Sequence, residues 1–286
     1  MIIVKIIGGL GNQMFQYAYA QALEQKGYDV KIDVSAFETY RLHGGYQLNK
    51  YKISLESSSK EENERFYKNT LTAKFLEKMR LLNTKVIKEK SLLFNSTFLD
   101  IEDGNYIEGY FQSEKYFFTI RDILLNKFII NEEKSIYTKE IAKKIVSLEN
   151  SCSLHVRRGD YTNNSNINIH GICSFEYYQK GIKYLEGKAS DINYFVFSDD
   201  IDWVKENLKI DSAIYVNNKE KSMPHEDLYL MSLCSHNIIA NSSFSWWGAW
   251  LNENSEKIVI SPFNWFSNYK MNKDTLTLLP NTWIKL

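Results

Sequence analysis

Cys152-Ser153-Leu154-His155-Val156-Arg157-Arg158-Gly159-Asp160-Tyr161 is the stretch on which the reading of this chain turns. Its apolar run, Cys152 to Val156, has the length and composition of a buried strand, and two guanidiniums and a carboxylate follow where that strand ends. Gly159 lets the backbone turn sharply just after them. Arginine carries a planar, permanently charged fork that suits phosphate or carboxylate, so one reading is an anion site for a diphosphate leaving group. The other is a structural ion pair with Asp160. On this stretch alone both stay open.

Outward from it, the carboxyl-terminal half is rhythmic. Apolar runs at Ser153 to Val156, Tyr194 to Phe197, Ala213 to Val216, Asn237 to Ala240 and Ile258 to Ile260 alternate with helical patterns at Phe175 to Leu185, Asp202 to Leu208, Glu226 to Cys234 and Trp246 to Leu251. Such alternation predicts an α/β fold with a parallel sheet covered by helices on both faces. The polar Glu149-Asn150-Ser151 segment reads as a boundary, giving domains 1–149 and 150–286.

The amino-terminal end starts as a β-α-β unit. Ile2 to Ile7 reads as a buried strand, Gly8 to Gly11 as a tight turn, Gln13 to Gln25 as a helix closed by Gly27, and Val30 to Val34 as a second strand. Gly9-x-Gly11 after a strand, with Asp33 about twenty residues on, invites an NAD(P)-dependent oxidoreductase as the alternative function. Met14 stands where that fingerprint needs its third glycine for close helix–strand packing. Asn12 and Gln13 read either as amides for a sugar or phosphate, or as an N-cap and a solvated first turn. Further on, a helix is expected from Lys60 to Lys90. Its basic second half, Lys74 to Lys90, reads as a solvated face or as a peripheral contact with an anionic membrane. A strand is expected from Asn105 to Phe111, and helices at Asp122 to Lys127 and Lys139 to Leu148.

At 286 residues the chain suits two domains. Its 35 basic and 35 acidic residues leave no net charge to recruit nucleic acid, so any anion binding must be local. Cys152, Cys173 and Cys234 form no C-x-x-C pair and no metal-ligand spacing with histidines, which predicts reduced thiols in a cytoplasmic setting. No apolar run approaches the roughly 20 residues that cross a bilayer, so the protein is expected to be soluble or peripheral.

Ligands of open parallel sheets bind at the carboxyl ends of the strands. Those ends carry Arg157-Arg158-Gly159-Asp160, Ser198-Asp199-Asp200, Asn217-Asn218, Asn241-Ser242-Ser243-Phe244-Ser245 and Ser261-Pro262-Phe263-Asn264. Each alone has a capping explanation; together they describe a nucleotide site, with hydroxyls and amides at a helix N-terminus near arginines. Asp200-Ile201-Asp202 matches a metal-chelating Asp-x-Asp, but Asp202 falls on a helix start and two arginines can neutralise a diphosphate without a cation, so no metal is expected.

Four motifs together resemble the α-1,2-fucosyltransferases, glycosyltransferase family 11. They are His155 to Tyr161, Gly8 to Ala18, Gly109-Tyr110-Phe111-Gln112-Ser113-Glu114, and Glu226 to Met231 continuing through Asn241 to Trp247. The resemblance spans nearly the whole chain. It implies a GT-B architecture, two Rossmann-like domains facing a cleft, with an amino-terminal acceptor-side domain, GDP-fucose in the carboxyl-terminal domain, and no metal or other cofactor. It also implies that Arg157 and Arg158 grip the diphosphate, Arg157 the more critically. His155 and Asp227 would read the guanine, Ser243, Phe244 and Ser245 would line the pocket, and Asn12 would reach in from the other domain. Ser198, Asn241 and Ser242 complete the expected donor set, and Asp160 is grouped with the arginines as catalytic.

The reaction so implied is inverting transfer of L-fucose to the 2-hydroxyl of a terminal β-galactoside, in bacterial surface polysaccharide synthesis and on a lipid-linked acceptor at the inner membrane face. Negative charge grows on the departing β-phosphate, and a preorganised arginine pair stabilises it. Some fucosyltransferases place a glutamate about ten residues beyond the motif histidine, where Ser165 stands here. Asp160, His170 and Glu38 are the candidate bases, and a mechanism without a dedicated base is the alternative. A third reading, a catalytically silent sugar-binding module, rests on the aromatic group Trp246, Trp247 and Trp250.

Overall fold

The computed structural model describes residues 1–40, 42–67, 85–158, 171–217 and 223–286. Its contacts divide the chain into two units, Met1–Asn131 and Glu132–Leu286.

In the first unit, β1 (Ile2–Lys5), α1 (Leu10–Gln25) and β2 (Val30–Asp33) form the expected β-α-β unit. Helix α1 starts directly after the glycine turn, where Gly8 takes φ +88°, a left-handed value that a side chain would strain. From Leu10 to Leu23 every α1 residue except Asn12 is buried. A helix covered on all sides has a weak amphipathic period, which is why its start was read three residues late. Next come α2 (Lys60–Tyr67), β3 (Lys85–Lys88), β4 (Asn105–Glu108) and α3 (Arg121–Lys127). The sheet is parallel, in the order β2-β1-β4-β3.

The helix expected from Lys60 to Lys90 starts at Lys60 as expected, and α2 fills the described residues as far as Tyr67, but its expected end is corrected: Lys85 and Lys88 lie on β3. There, paired with β4, Val86 and Ile87 are half-buried while both lysines stay exposed. Lys74, Lys78 and Arg80 lie outside the described residues. Strand β4 also stops short of Phe111, because the backbone leaves extended geometry: Phe111 has φ +52° and stacks on Tyr19 with ring centroids 3.9 Å apart.

In the second unit the elements run α4 (Ile136–Val146), β5 (Ser151–Val156), α5 (Phe175–Glu186), β6 (Asn193–Ser198), α6 (Ile201–Asn207), β7 (Ala213–Val216), α7 (Pro224–Leu233), β8 (His236–Ile238), α8 (Ser243–Leu251), β9 (Val259–Ser261), α9 (Tyr269–Asn272) and β10 (Ile284–Lys285). Its parallel sheet has the order β10-β9-β8-β5-β6-β7. Successive β6 side chains go to opposite faces. Tyr194 and Val196 join Tyr178 and Leu185 of α5, whereas Phe195 and Phe197 join Ile145 of α4 and Leu230 and Met231 of α7. The sequence boundary at 149/150 falls after α4; the contacts group α4 with the second unit, where Ile145 packs.

The order also fixes where a crevice opens. The chain runs from β5 outward to β7, then crosses to β8 on the other side of β5 and continues to β10. The reversal lies between the carboxyl ends of β5 and β8, the place where doubly wound sheets bind ligands.

Candidate active site

Register brings the site together. Leu154 of β5 pairs with Ile238 of β8, and Val156 with Ser198 of β6. The strands are parallel, so Arg157, Ser198 and the Asn241–Ser245 segment emerge at one end of the sheet. The rings of His155 and Phe244 are 5.7 Å apart across the reversal.

Helix α8 presents its N-terminus here. Ser242 is the N-cap, with its side chain accepting from Phe244 N at 3.3 Å, and Ser245 Oγ donates to Ser242 O at 3.4 Å. Ser243 and Phe244 are half-buried, so the first turn remains open to a ligand. Three features hold this helix in place. A Cβ on Gly248 would lie 2.8 Å from Met231 Cβ, so α7 and α8 cross as closely as a glycine allows. Asn252 Nδ2 donates to Cys234 O and Asn237 Oδ1, while Asn237 Nδ2 donates to Ser153 Oγ and Met231 O. Lys257 Nζ donates to Ala249 O at the carboxyl end, where a cation is favoured.

The two arginines are held differently. Arg157 Nη1 pairs with Asp199 Oδ2 at 2.9 Å, and the other Asp199 oxygen accepts from Arg158 N, also at 2.9 Å. Arg158 stacks its guanidinium over Trp203, 3.7 Å from the ring centroid, and its Nε donates to Asp200 Oδ2 at 3.2 Å. Asp200 also caps α6 by accepting from Trp203 N. Its carboxylate is thus engaged in a cap and an ion pair, and Asp202 meets Lys205 at 3.8 Å on an exposed surface. Asp199 stands in the sequence reading only as part of the Ser198-Asp199-Asp200 strand end, with no role of its own; the signal for that role is an acid one residue past the end of β6, level with the arginines.

His155 is 5% exposed, and its Nδ1 is buried with no hydrogen-bond partner among the described residues. Burial, with Arg157 nearby, lowers its pKa to about 3, so the ring is neutral. Asp227, half-buried in the first turn of α7, has its carboxyl raised to about 7 by burial and the adjacent Glu226. Glu226 does different work. Burial pushes its carboxyl up, but hydrogen bonds from Ser135 and Thr138 more than offset this and hold it below the usual value. Its Oε1 accepts from Ser135 N at 2.7 Å, and its Oε2 from Ser135 Oγ and Thr138 Oγ1 at 2.6 Å each, which fastens the start of α4 to α7.

Asn241 is drawn into bracing, its Nδ2 donating to Gly171 O at 3.3 Å and Trp265 O at 3.0 Å and its Oδ1 accepting from Cys173 Sγ. Ser198 Oγ accepts from Asp200 N at 3.0 Å. Asp160, Ser165 and His170 lie outside the described residues. The aromatic group is core: Trp246 and Trp247 are wholly buried, Trp250 is 3% exposed, and Trp246 Nε1 donates to Leu278 O. It supplies no exposed platform for a sugar.

In the first unit Asn12 is half-buried, with Oδ1 accepting from Gln112 Nε2 at 2.8 Å. Gln13 is neither a solvated residue nor an open ligand group. It is wholly buried, its Nε2 donating to Gly8 O and Gly45 O at 2.8 Å each and its Oε1 accepting from Gln47 N at 2.9 Å. Asp33 is buried and accepts from Ser35 N and the Tyr106 hydroxyl. The acid on which the dinucleotide reading depends is therefore enclosed by its own unit. Glu38 is exposed at the end of a short 3-10 turn.

An arginine, a neutral imidazole and a helix N-terminus gathered at the reversal point of a doubly wound sheet suit a phosphate-bearing ligand. The comparisons supply the family. The chain matches the description "Glycosyl transferase family 11" across residues 1–286. It is 36% identical to the O-antigen biosynthesis glycosyltransferase WbnK of Escherichia coli, covering 98% of each chain. It is 33% identical to an alpha-1,2-colitosyltransferase of Escherichia coli, covering 100% of this chain and 99% of the other. The chain belongs to glycosyl transferase family 11, the α-1,2-fucosyltransferase family that its motifs resemble. Among solved structures it is similar to the fucosyltransferase NodZ from Bradyrhizobium, with 14% identity over 86% of this chain and 91% of that one and a TM-score of 0.49.

Proposed function

We propose that this protein transfers L-fucose from GDP-fucose to the 2-hydroxyl of a terminal β-galactoside, with inversion, in the assembly of a bacterial surface polysaccharide. The observation that carries the donor site is the reversal point of the second sheet, where Arg157, His155 and the open first turn of α8 emerge in register. The acceptor hydroxyl attacks the anomeric carbon and gives up its proton, to a base or to solvent, the bond from that carbon to the β-phosphate oxygen breaks, and GDP leaves with the bonding electron pair. Arg157, oriented by Asp199, stabilises the charge that grows on the phosphate, with the α8 N-terminus beside it. Arg158 supports the same wall from its seat on Trp203 and Asp200.

The guanine supplies the partner that His155 Nδ1 does not find among the described residues, and Asp227 pairs with the guanine N1–H and exocyclic amine. Ser243, Phe244 and Ser245 line the phosphate and base pocket. No described helix is long and apolar enough to cross a membrane; a lipid-linked acceptor would be met at the membrane face.

The test is incubation with GDP-fucose and a panel of β-galactosides in the presence of a chelator, with the product linkage read by NMR. An α-1,2-fucosyl galactoside is expected, and no transfer to any acceptor overturns the reading. Because one relative is named for colitose, the 3-deoxy counterpart of L-fucose, GDP-colitose is run in parallel. Transfer of colitose alone would keep the chemistry and replace the donor sugar.

A further inference from the structure

The Gly109-Tyr110-Phe111-Gln112 motif has no role assigned so far, yet it lies at the carboxyl end of a central strand of the first sheet. In the order β2-β1-β4-β3 the chain goes from β1 out to β2, crosses to the edge strand β3 and returns to β4 beside β1, and this motif leaves the carboxyl end of β4, the end of a parallel sheet where ligands bind. Glu89, one residue past β3, turns its carboxylate onto the motif. Its Oε2 accepts from Tyr110 N at 2.7 Å and Phe111 N at 3.1 Å. Its Oε1 is buried and has no hydrogen-bond partner among the described residues.

A buried carboxylate holding two consecutive amides is a costly device for shaping an ordinary turn. Burial raises the Glu89 carboxyl despite those two hydrogen bonds. The space is shaped around it as well, since a Cβ on Gly109 would lie 2.6 Å from Glu89 Cβ. Phe111 is held left-handed and wholly buried against Tyr19, and Gln112 donates to Asn12. Every neighbour of Tyr110 in the motif is thus tied inward. Tyr110 itself is 41% exposed, with its backbone amide fixed by Glu89 just past the carboxyl end of β4.

We propose that Tyr110 is a recognition residue for the acceptor, its ring taking the apolar face of a pyranose, and that Glu89 is the positioning residue that presents it. This rests on the galactoside-transferring reading above. A tyrosine suits the task, since it offers a flat apolar face and a polar tip.

The test uses the full chain with GDP-fucose and N-acetyllactosamine, and ligand-observed NMR of the galactoside alone as a readout independent of turnover. Tyr110→Ala is expected to raise the acceptor KM about tenfold, with the KM for GDP-fucose within about twofold of wild type. Tyr110→Phe should restore most of the loss. Glu89→Ala should reproduce the acceptor defect, and Glu89→Gln, which keeps an acceptor oxygen for the two amides, should recover it.

If the wild type transfers fucose and Tyr110→Ala keeps the wild-type acceptor KM, the proposal is overturned. It is equally overturned if donor and acceptor KM rise together. If the wild type fails to transfer fucose but binds the galactoside in a Tyr110-dependent way, the recognition residue stands and the fucosyl reading falls. If it neither transfers nor binds, both fall.

Discussion

Both sheets are parallel and present the carboxyl ends of their central strands, and the polar groups there are used in opposite ways. In the first unit Gln13 and Gln16 face the glycine turn, and their amides are used up on the backbone: Gln13 on Gly8, Gly45 and Gln47, Gln16 on Ile7 and Gly109. In the second unit the carboxyl ends hold the Arg157–Asp199 pair, a buried imidazole nitrogen with no partner among the described residues and an open helix N-terminus. Topology sets where a crevice lies. What a crevice does depends on whether its polar groups are satisfied by the protein or left for a ligand.

The contrast breaks most visibly at Arg157. Arg157→Ala should lower kcat/KM by roughly 100-fold or more while leaving the unfolding transition in place, because the side chain is half-exposed and its loss removes transition-state stabilisation. Steady-state kinetics and a urea titration check the two halves of this statement. A large fall in stability would make the residue structural. On the other side of the comparison, Gln13→Ala should leave GDP affinity unchanged and cost roughly 2–4 kcal/mol of stability, since three buried backbone groups lose their partners. Normal urea resistance in that variant would show that the first crevice is not closed by its own amides.

These residues also show why the sequence was legible in parts. The strands from β5 to β9 and the helices between them could be read because buried apolar runs such as β6, packed on both faces, are separated from helical periods by turn residues, whereas the four-residue α9 and two-residue β10 are too short to carry a pattern. Strand β3 could not: its Lys-Val-Ile-Lys pattern is four residues long, and amphipathic spacing around it mimics a helix. The arginines were legible from their position after a strand, whereas their different duties were not. Asp199, Asp200 and Trp203 lie 41 to 46 positions away in sequence, and only the pairing of β5 with β6 brings them to Arg157 and Arg158. Gln13 was misjudged because a helix start is ordinarily solvated, and here loop residues Gly45 and Gln47 cover it.

A pH series sharpens the second crevice. Asp227 titrates at about 7, and the proposed contact with guanine N–H groups needs the carboxylate, not the acid. As pH falls below about 7 the carboxylate is lost, so the KM for GDP-fucose should rise, approaching about tenfold per pH unit well below the pKa. His155, with its pKa lowered to about 3, contributes nothing to this slope. Asp227→Asn should give a weak, pH-independent KM. A wild-type KM that is flat from pH 6 to 8 would remove Asp227 from the base pocket.

The smallest effect separates the neighbouring arginines. Arg158→Lys retains the charge but gives up the planar stack on Trp203 and the directed bond from Nε to Asp200. The loss is local to the wall, because Asp199 accepts from the backbone of residue 158, which any side chain leaves in place, and so continues to orient Arg157. Stacking of this kind contributes about 0.5–2 kcal/mol, so kcat/KM should fall several-fold to about thirtyfold, less than for Arg157→Ala. Trp203→Leu should produce a loss of similar size. In Arg158→Lys, Trp203→Leu should then add little, since the stack is already gone. Fully additive losses would mean that Arg158 reaches the diphosphate directly and that Trp203 supports the site by another route.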